Sequence, residues 1–293
     1  MYSWGWNDQY QLGRPIVPHQ YNYPVGSVYL PPDNFYPKQL AVGDEHAVVL
    51  DNNNTLYVWG SNRRGQLGLG HTRDVPRIQL VEFTDIDPIV EIKAKGAQTI
   101  AISSGGQCFC WPIETTAGEK IYRPTELCFP KRILIATASC GYNFSIFVAK
   151  NGLVFSMGKD NSVGQLGLGH FDPRDAPVLI TSLRDYGELV TQVACGYKHV
   201  ICKTSLGKVY TWGGGAYGQL GQGDLENDNV PRQVPLNHTY LKAKAVQVHA
   251  GARHSMILMD NKKIFWAGTN ASINKKPYFV EANLAEKVVL QLN

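Results

Sequence analysis

The hexamer GQLGLG occupies residues 65–70 and recurs unchanged at 164–169, with a near copy, GQLGQG, at 218–223. Glycine-rich hexamers serve either as phosphate cradles or as punctuation in a repeated structure. A phosphate cradle needs the loop to open a helix inside a strand–loop–helix unit, and a P-loop adds a Lys-Ser/Thr ending. Here the copies run instead into HTRDVP, HFDPRDAP and DLENDNVP, without helical patterning and without that ending. The hexamers therefore read as structural turns rather than nucleotide sites.

Aligned on the hexamer, longer units emerge. They begin VGDEHAVVLD at Val42, CGYNFSIFVA at Cys140 and CGYKHVICKT at Cys195, with degenerate copies beginning at Lys95 and Ala250. The leading glycines are Gly43, Gly96, Gly141, Gly196 and Gly251, spaced 53, 45, 55 and 55 residues apart. A period of that size marks a propeller or a solenoid. Segments such as HVICKT, KVYTW, TIAIS and IVEIKA are short, alternating, and rich in β-branched and aromatic residues. Three or four such strands per unit and no useful helical stretch predict an all-β propeller with one antiparallel sheet per repeat.

The repeat residues have physical jobs in such a fold. The steps Trp59-Gly60 and Trp212-Gly213, with Met157-Gly158 as a variant, end a strand. The large side chain packs between sheets and the glycine allows a positive φ for the exit turn. Leu67, Leu166 and Leu220 are expected to plug gaps between sheets. The amides of Gln66, Gln165 and Gln219 are expected to bond backbone groups that the tight loop leaves unpaired.

The pattern W-G-x-N-x-x-G-Q-L-G, followed by a polar loop and Pro and then by C-G-x-x-H, resembles the regulator of chromosome condensation repeat over nearly the whole chain. The resemblance implies a β-propeller, seven-bladed as the family norm. It also implies a functional range from guanine-nucleotide exchange on a small GTPase to binding platforms in ubiquitin ligases, cilia and mitochondria. About six blades are visible here. YSWGW opens in mid-repeat and EKVVLQLN reads as a first strand, so pairing of VVLQL with YSWGW is expected to close one propeller domain over residues 1–293, with a larger seven-bladed parent as the competing account. The family's exchange activity rides on a protruding loop with no match in this sequence.

Composition is globular, with 44% hydrophobic and 18% charged residues, and net charge is +4, too small to imply nucleic-acid binding by itself. No apolar run approaches the ~20 residues a membrane helix needs, and MYSWGWNDQY lacks a secretory pattern. The expectation is an intracellular protein of the cytoplasm, cilium or cytoskeleton rather than a secreted one, with the nucleus open. Six cysteines in a long, unsecreted chain do not suggest a disulfide framework.

No catalytic, cofactor or metal residues are assigned. His46, His199 and His254 share one repeat position, which the family uses structurally by bonding the ring to a neighbouring backbone group. Cys108 and Cys110 form a single Cys-x-Cys with no second pair at zinc spacing. Charge is uneven: residues 242–293 carry eight basic against three acidic side chains, leaving −1 for the remainder. Lys262, Lys263, Lys275 and Lys276 are the candidate partner-binding residues, suited to an acidic protein surface such as tubulin. The stretch 14–39, with six prolines and five aromatic rings, is a second candidate contact. The function expected is a non-enzymatic protein-binding scaffold, with exchange on a small GTPase at chromatin as the alternative, and without sequence-specific nucleic-acid binding.

Overall fold

The computed structural model describes residues 1–17, 22–29, 35–83, 86–114, 118–130, 133–236, 243–269 and 275–282. The chain divides into two compact units, Met1–Ile135 and Ala136–Asn293.

In the first unit, β1 (Tyr2–Gly5) pairs with β2 (Tyr23–Ser27) as a two-stranded sheet. A meander of β3 (Pro37–Val42), β4 (His46–Asp51), β5 (Leu56–Gly60) and β6 (Val75–Val81) follows. The next sheet contains β7 (Ile89–Lys95), β8 (Gln98–Ser103) and β9 (Cys108–Trp111). This repeat lacks the hexamer, and a small hairpin of β10 (Ile113–Glu114) and β11 (Lys120–Ile121) stands in its place before the fourth strand, β12 (Thr125–Glu126).

The second unit holds three complete meanders. They are β13 (Ile135–Cys140) with β14 (Phe144–Ala149), β15 (Val154–Gly158) and β16 (Arg174–Leu179); β17 (Val190–Cys195) with β18 (His199–Thr204), β19 (Val209–Gly213) and β20 (Asp228–Gln233); and β21 (Ala245–Ala250) with β22 (His254–Met259), β23 (Ile264–Gly268) and β24 (Lys276–Glu281). One short helix, α1 (Thr181–Asp185), joins β16 to β17. The described residues thus form five four-stranded antiparallel sheets, the two-stranded β1–β2 sheet and the β10–β11 hairpin, the all-β blade architecture that the repeat predicts. The expected partner of β1, VVLQL at 288–292, lies outside the described residues.

Second strands are the most deeply buried, from end to end in His46–Asp51 and Phe144–Ala149. Each has a strand on both sides and is covered on both faces, so its central residues are mostly apolar and its polar ones are buried with them. The alternation that the sequence reading expects in HVICKT is therefore not reflected in its burial, which runs along nearly the whole strand. Third strands end on the predicted glycine, at φ 107° in Gly60 and 94° in Gly213. Gly158 is required by crowding: a Cβ there would lie 2.5 Å from Phe144 Cβ and 2.7 Å from the Asn143 carbonyl.

The hexamer ties one sheet to the next. Gly65, Gly68 and Gly70 all have positive φ. A Cβ on Gly68 would come within 2.8 Å of Trp111 Nε1, and one on Gly167 within 2.8 Å of Trp212 Nε1. The loop glycine N–H groups of Gly70, Gly169 and Gly223 donate to the carbonyls of Tyr122, Asn229 and Pro277, at or just before the following sheet's fourth strand (3.0, 2.9 and 2.8 Å). Leu67, Leu166 and Leu220 are buried. The Gln66, Gln165 and Gln219 Oε1 atoms accept from the backbone N–H two residues earlier, at 2.9, 3.2 and 2.8 Å. From the other side, Trp59 and Trp212 donate their indole N–H to the carbonyls of Gln11 and Gln165, each at 3.0 Å.

A second tie runs through the leading glycines. The His46 ring lies directly over Gly43, and the His199 ring over Gly196. His46 Nε2 meets Thr99 Oγ of the next sheet at 2.9 Å, and Thr99 Oγ donates to the Gln66 carbonyl at 2.8 Å. A hydroxyl has one proton, so Thr99 must accept from His46, which places a proton on Nε2, and burial keeps the ring neutral. His199, Ser255 and the Gln219 carbonyl repeat this geometry at 3.0 and 2.8 Å. The ring's partner is therefore a neighbouring hydroxyl, which relays to the backbone, rather than the backbone group that the resemblance implies. In the β14 repeat, Phe144 replaces the histidine and Val200 replaces the hydroxyl, both within one buried apolar cluster.

Trp212 is fully buried and bonded to the preceding hexamer, so Trp212→Ala is expected to destabilise by about 3–5 kcal/mol. A denaturant melt shifted by less than about 1 kcal/mol would refute its packing role.

Burial pushes the His46 imidazole down to about 4 from 6.5. Above about pH 6.5 the ring is neutral folded or unfolded, and stability is full. Between 6.5 and 4 only the unfolded chain takes the proton, so stability falls, by of the order of 3 kcal/mol, and levels off below. Denaturant melts at pH 7 and pH 4.5 should show a smaller acid loss in His46→Asn than in the parent; equal losses would mean the ring is not held neutral.

Candidate functional site

Because the ring at the fourth position of G-x-x-H folds back over the glycine, the two residues between are pushed outward at the turn between first and second strands. In the second unit these are Tyr142-Asn143, Tyr197-Lys198 and Ala252-Arg253. The turns are stitched by backbone bonds, from Tyr142 N–H to the Tyr197 carbonyl (3.0 Å) and from Tyr197 N–H to the Ala252 carbonyl (3.1 Å). Their side chains consequently form one continuous surface.

That surface is aromatic and basic. Tyr142 and Tyr197 stack with centroids 5.2 Å apart and planes at 18°. The Arg253 guanidinium carbon stands 4.3 Å from the centroid of the Tyr217 ring, and Lys275 Nζ stands 5.7 Å from the same centroid. At such an exposed site each contact is worth about 0.5–1 kcal/mol, enough to hold the cations in place without neutralising them. Lys198 is less available, since its ammonium meets Asp160 at 2.9 Å and Ser162 Oγ at 3.2 Å. Partial burial raises the Asp160 carboxyl, but hydrogen bonds from Ser162 and Lys198 outweigh it and hold the group at about 2.

The four candidate lysines separate into two pairs. Lys276 begins β24 opposite Gly268, with Lys275 just before it, on the same end as Arg253. Lys262 and Lys263 lie in the β22–β23 turn at the other end, where Lys262 has φ 67° and Lys263 Nζ pairs with Glu281 at 3.0 Å. The length of β24 lies between the pairs, about 17 Å at strand rise. Charge counting grouped all four because it has no sense of strand direction. It also missed Tyr142, Tyr197 and Tyr217; for the first two the signal was present in the outward pair of each G-x-x-H motif.

The other candidates are placed as follows. Cys108 and Cys110 are buried on β9, and Cys140, Cys195 and Cys202 are buried likewise, none of the five joined in a disulfide. Among the described residues no three His, Cys, Asp or Glu side chains are grouped to hold a metal, and no helix is long and apolar enough to cross a membrane. In the 14–39 stretch, Tyr23 is buried with Arg14 over its ring at 5.5 Å, while Tyr29 and Tyr36 are exposed.

Comparison with known proteins matches this architecture. The RCC1-like domain model covers residues 1–276. The chain is 28% identical over 282 residues to the ultraviolet-B receptor UVR8 of Arabidopsis thaliana, covering 93% of this chain and 62% of that protein. It is 33% identical over 231 residues to the secretion-regulating guanine nucleotide exchange factor of Mus musculus, covering 73% of this chain and 48% of that one. The chain thus spans less than two thirds of the length of either relative. Human WBSCR16, a solved structure, superposes with a TM-score of 0.82 at 19% identity over 96% of this chain and 76% of its own, a likeness of fold. The chain belongs to the RCC1-like domain family of β-propellers.

Proposed function

We propose that residues 1–293 act as one non-enzymatic propeller scaffold that binds an acidic protein partner. The observation that carries this reading is the Tyr217 ring held between Arg253 and Lys275, beside the stacked Tyr142–Tyr197 pair. Aromatic rings flanked by fixed cations offer apolar contact and charge at once, a combination favoured where proteins bind proteins. The outlying Lys262–Lys263 pair extends the positive field without sharing the contact surface, so its part is steering. An acidic surface of the kind tubulin presents suits this arrangement, and the cytoplasm, cilium or cytoskeleton is the setting.

A second reading, nucleotide exchange on a small GTPase, is favoured by similarity to the secretion-regulating exchange factor. It is separable by one assay. Release of labelled GDP from small GTPases, accelerated by catalytic amounts of the chain, would replace the scaffold reading.

The charge reading has its own test. Affinity purification followed by mass spectrometry identifies the partner, and a glutamate-rich peptide serves as the immediate probe. Reversing Arg253, Lys275 and Lys276 to Glu should weaken binding at least tenfold with little change in melting temperature. Reversing Lys262 and Lys263 should cost less and act on the association rate. Binding should also weaken from low to physiological salt, where screening shortens to about 8 Å. Equal losses from both sets would reduce the effect to net charge and remove the surface.

A further inference from the structure

The first hexamer is ringed by arginine, and its siblings are not. Residues 61–80 carry Arg63, Arg64, Arg73 and Arg77 and no lysine, against one carboxylate, Asp74. That carboxylate is committed: its Oδ1 accepts from Asn62 N–H at 2.8 Å and its Oδ2 from Arg63 Nε at 3.3 Å. Arg123 arrives from the segment before β12, and its guanidinium lies over Gly70, with Nε 2.9 Å from where a Cβ would stand. Arg64, Arg73 and Arg123 are exposed, and none meets a carboxylate among the described residues.

Hydrogen bonds gather the segments that carry these three. Asn62 Nδ2 donates to the His71 carbonyl at 2.7 Å, which folds the loop bearing Arg73 back against Arg63-Arg64. Gly70 N–H donates to the Tyr122 carbonyl at 3.0 Å, and the Tyr122 ring covers Gly65, next to Arg64. Arg73 N–H donates to His71 Nδ1 at 3.2 Å, so the proton of the neutral ring sits on Nε2 as a further donor.

The fold does not ask for these cations. Arg64 stands immediately before the first hexamer glycine, where the other copies have Val163 and Tyr217. Arg123 stands against Gly70 where Val230 stands against Gly169 and Tyr278 against Gly223. Arg73 precedes Asp74, which accepts from the Asn62 N–H; in the third copy Glu226 precedes Asn227, which accepts likewise from Gly215. Arginine thus occupies three places where the repeat accepts valine, tyrosine or glutamate.

The side-chain type narrows the ligand. A guanidinium offers five N–H donors in a planar fork and binds oxyanions through paired bonds. A carboxylate, with two oxygens and one charge, saturates a single fork. A phosphate monoester carries about two charges on three terminal oxygens and engages several forks at once. A nucleic-acid backbone spreads its charge along its length and is met by a track of cations, whereas these are gathered about one loop. We infer that Arg64, Arg73 and Arg123 form a receptor for a phosphorylated side chain of a partner protein. The hexamer backbone takes no part, since the N–H groups of Gly65, Gly68 and Gly70 are all bonded within the fold. The receptor belongs to the first unit and shares no residue with the Tyr217 surface, so it goes beyond the scaffold reading.

The probe is a degenerate peptide library with phosphoserine fixed at its centre, passed over the immobilised full chain beside the same library with serine there. Retention of the phosphoserine library is expected at least tenfold above the serine one, with inorganic phosphate competing. Changing Arg64, Arg73 and Arg123 together to Ala should abolish the difference while the melting temperature stays within a few degrees. Changing the three to Lys keeps the charge but loses the fork, and should lower retention at least fivefold. The alanine variant should still bind the glutamate-rich peptide as the parent does; failure of that peptide on the parent, with the phosphoserine library retained, would sink the other surface and leave this one. Equal retention of the two libraries, full retention by the alanine variant, full rescue by lysine, or loss of both probes in the alanine variant would each overturn the proposal. So would a short single-stranded DNA that binds more tightly than the phosphoserine library and is lost in the alanine variant, which would assign the arginines to a nucleic-acid backbone.

Discussion

The constraint on which the packing of neighbouring sheets turns is a short relay, from an imidazole N–H to a hydroxyl and from that hydroxyl to a loop carbonyl. His46, Thr99 and the Gln66 carbonyl form one copy, and His199, Ser255 and the Gln219 carbonyl another. Each joins three separate segments from two repeats inside a dry core, where an unmade bond costs about 1–3 kcal/mol. The glycine three residues before the ring exists to let the ring lie flat over it. The hexamer exists to deliver the carbonyl. Two motifs that look independent along the sequence are the two ends of one contact.

The outward surface is a by-product of the same contact. Folding the fourth residue of G-x-x-H inward leaves the second and third free of packing duties, so they vary: Tyr-Asn, Tyr-Lys, Ala-Arg. Neighbouring turns are bonded to each other through the backbone, so these freely chosen side chains are still presented at fixed spacing. A rigid frame carrying variable pairs is an economical way to make a binding face.

The repeat period, the strand-ending Trp-Gly steps and the plugging leucines were all legible in the sequence, because each reflects a local steric demand repeated at one spacing. The burial of Leu67 and Trp212 needed only that spacing. The binding face was harder to read. Lys262 and Lys276 are 14 residues apart in a lysine-rich stretch, yet β23 and β24 carry them to opposite ends of a sheet. Tyr217 sits just before the hexamer, and nothing in its neighbours along the chain announces Arg253, which reaches it from the next repeat. Composition sees charge but not which end of a strand bears it, and contacts between repeats are invisible to any reading that treats each repeat alone.

The exchange of His and hydroxyl for Phe144 and Val200 has an evolutionary consequence. Repeat arrays grow and shrink by unequal recombination, which removes whole units and preserves the period. Excising the unit headed by Gly196 would leave every strand length and every turn intact. It would also set Phe144 against Ser255, a ring with no proton to give beside a hydroxyl that had been receiving one from His199. Each unit is therefore matched to its successor and not interchangeable with its siblings, so the order of repeats is heritable information, guarded by the same contacts that hold the sheets together.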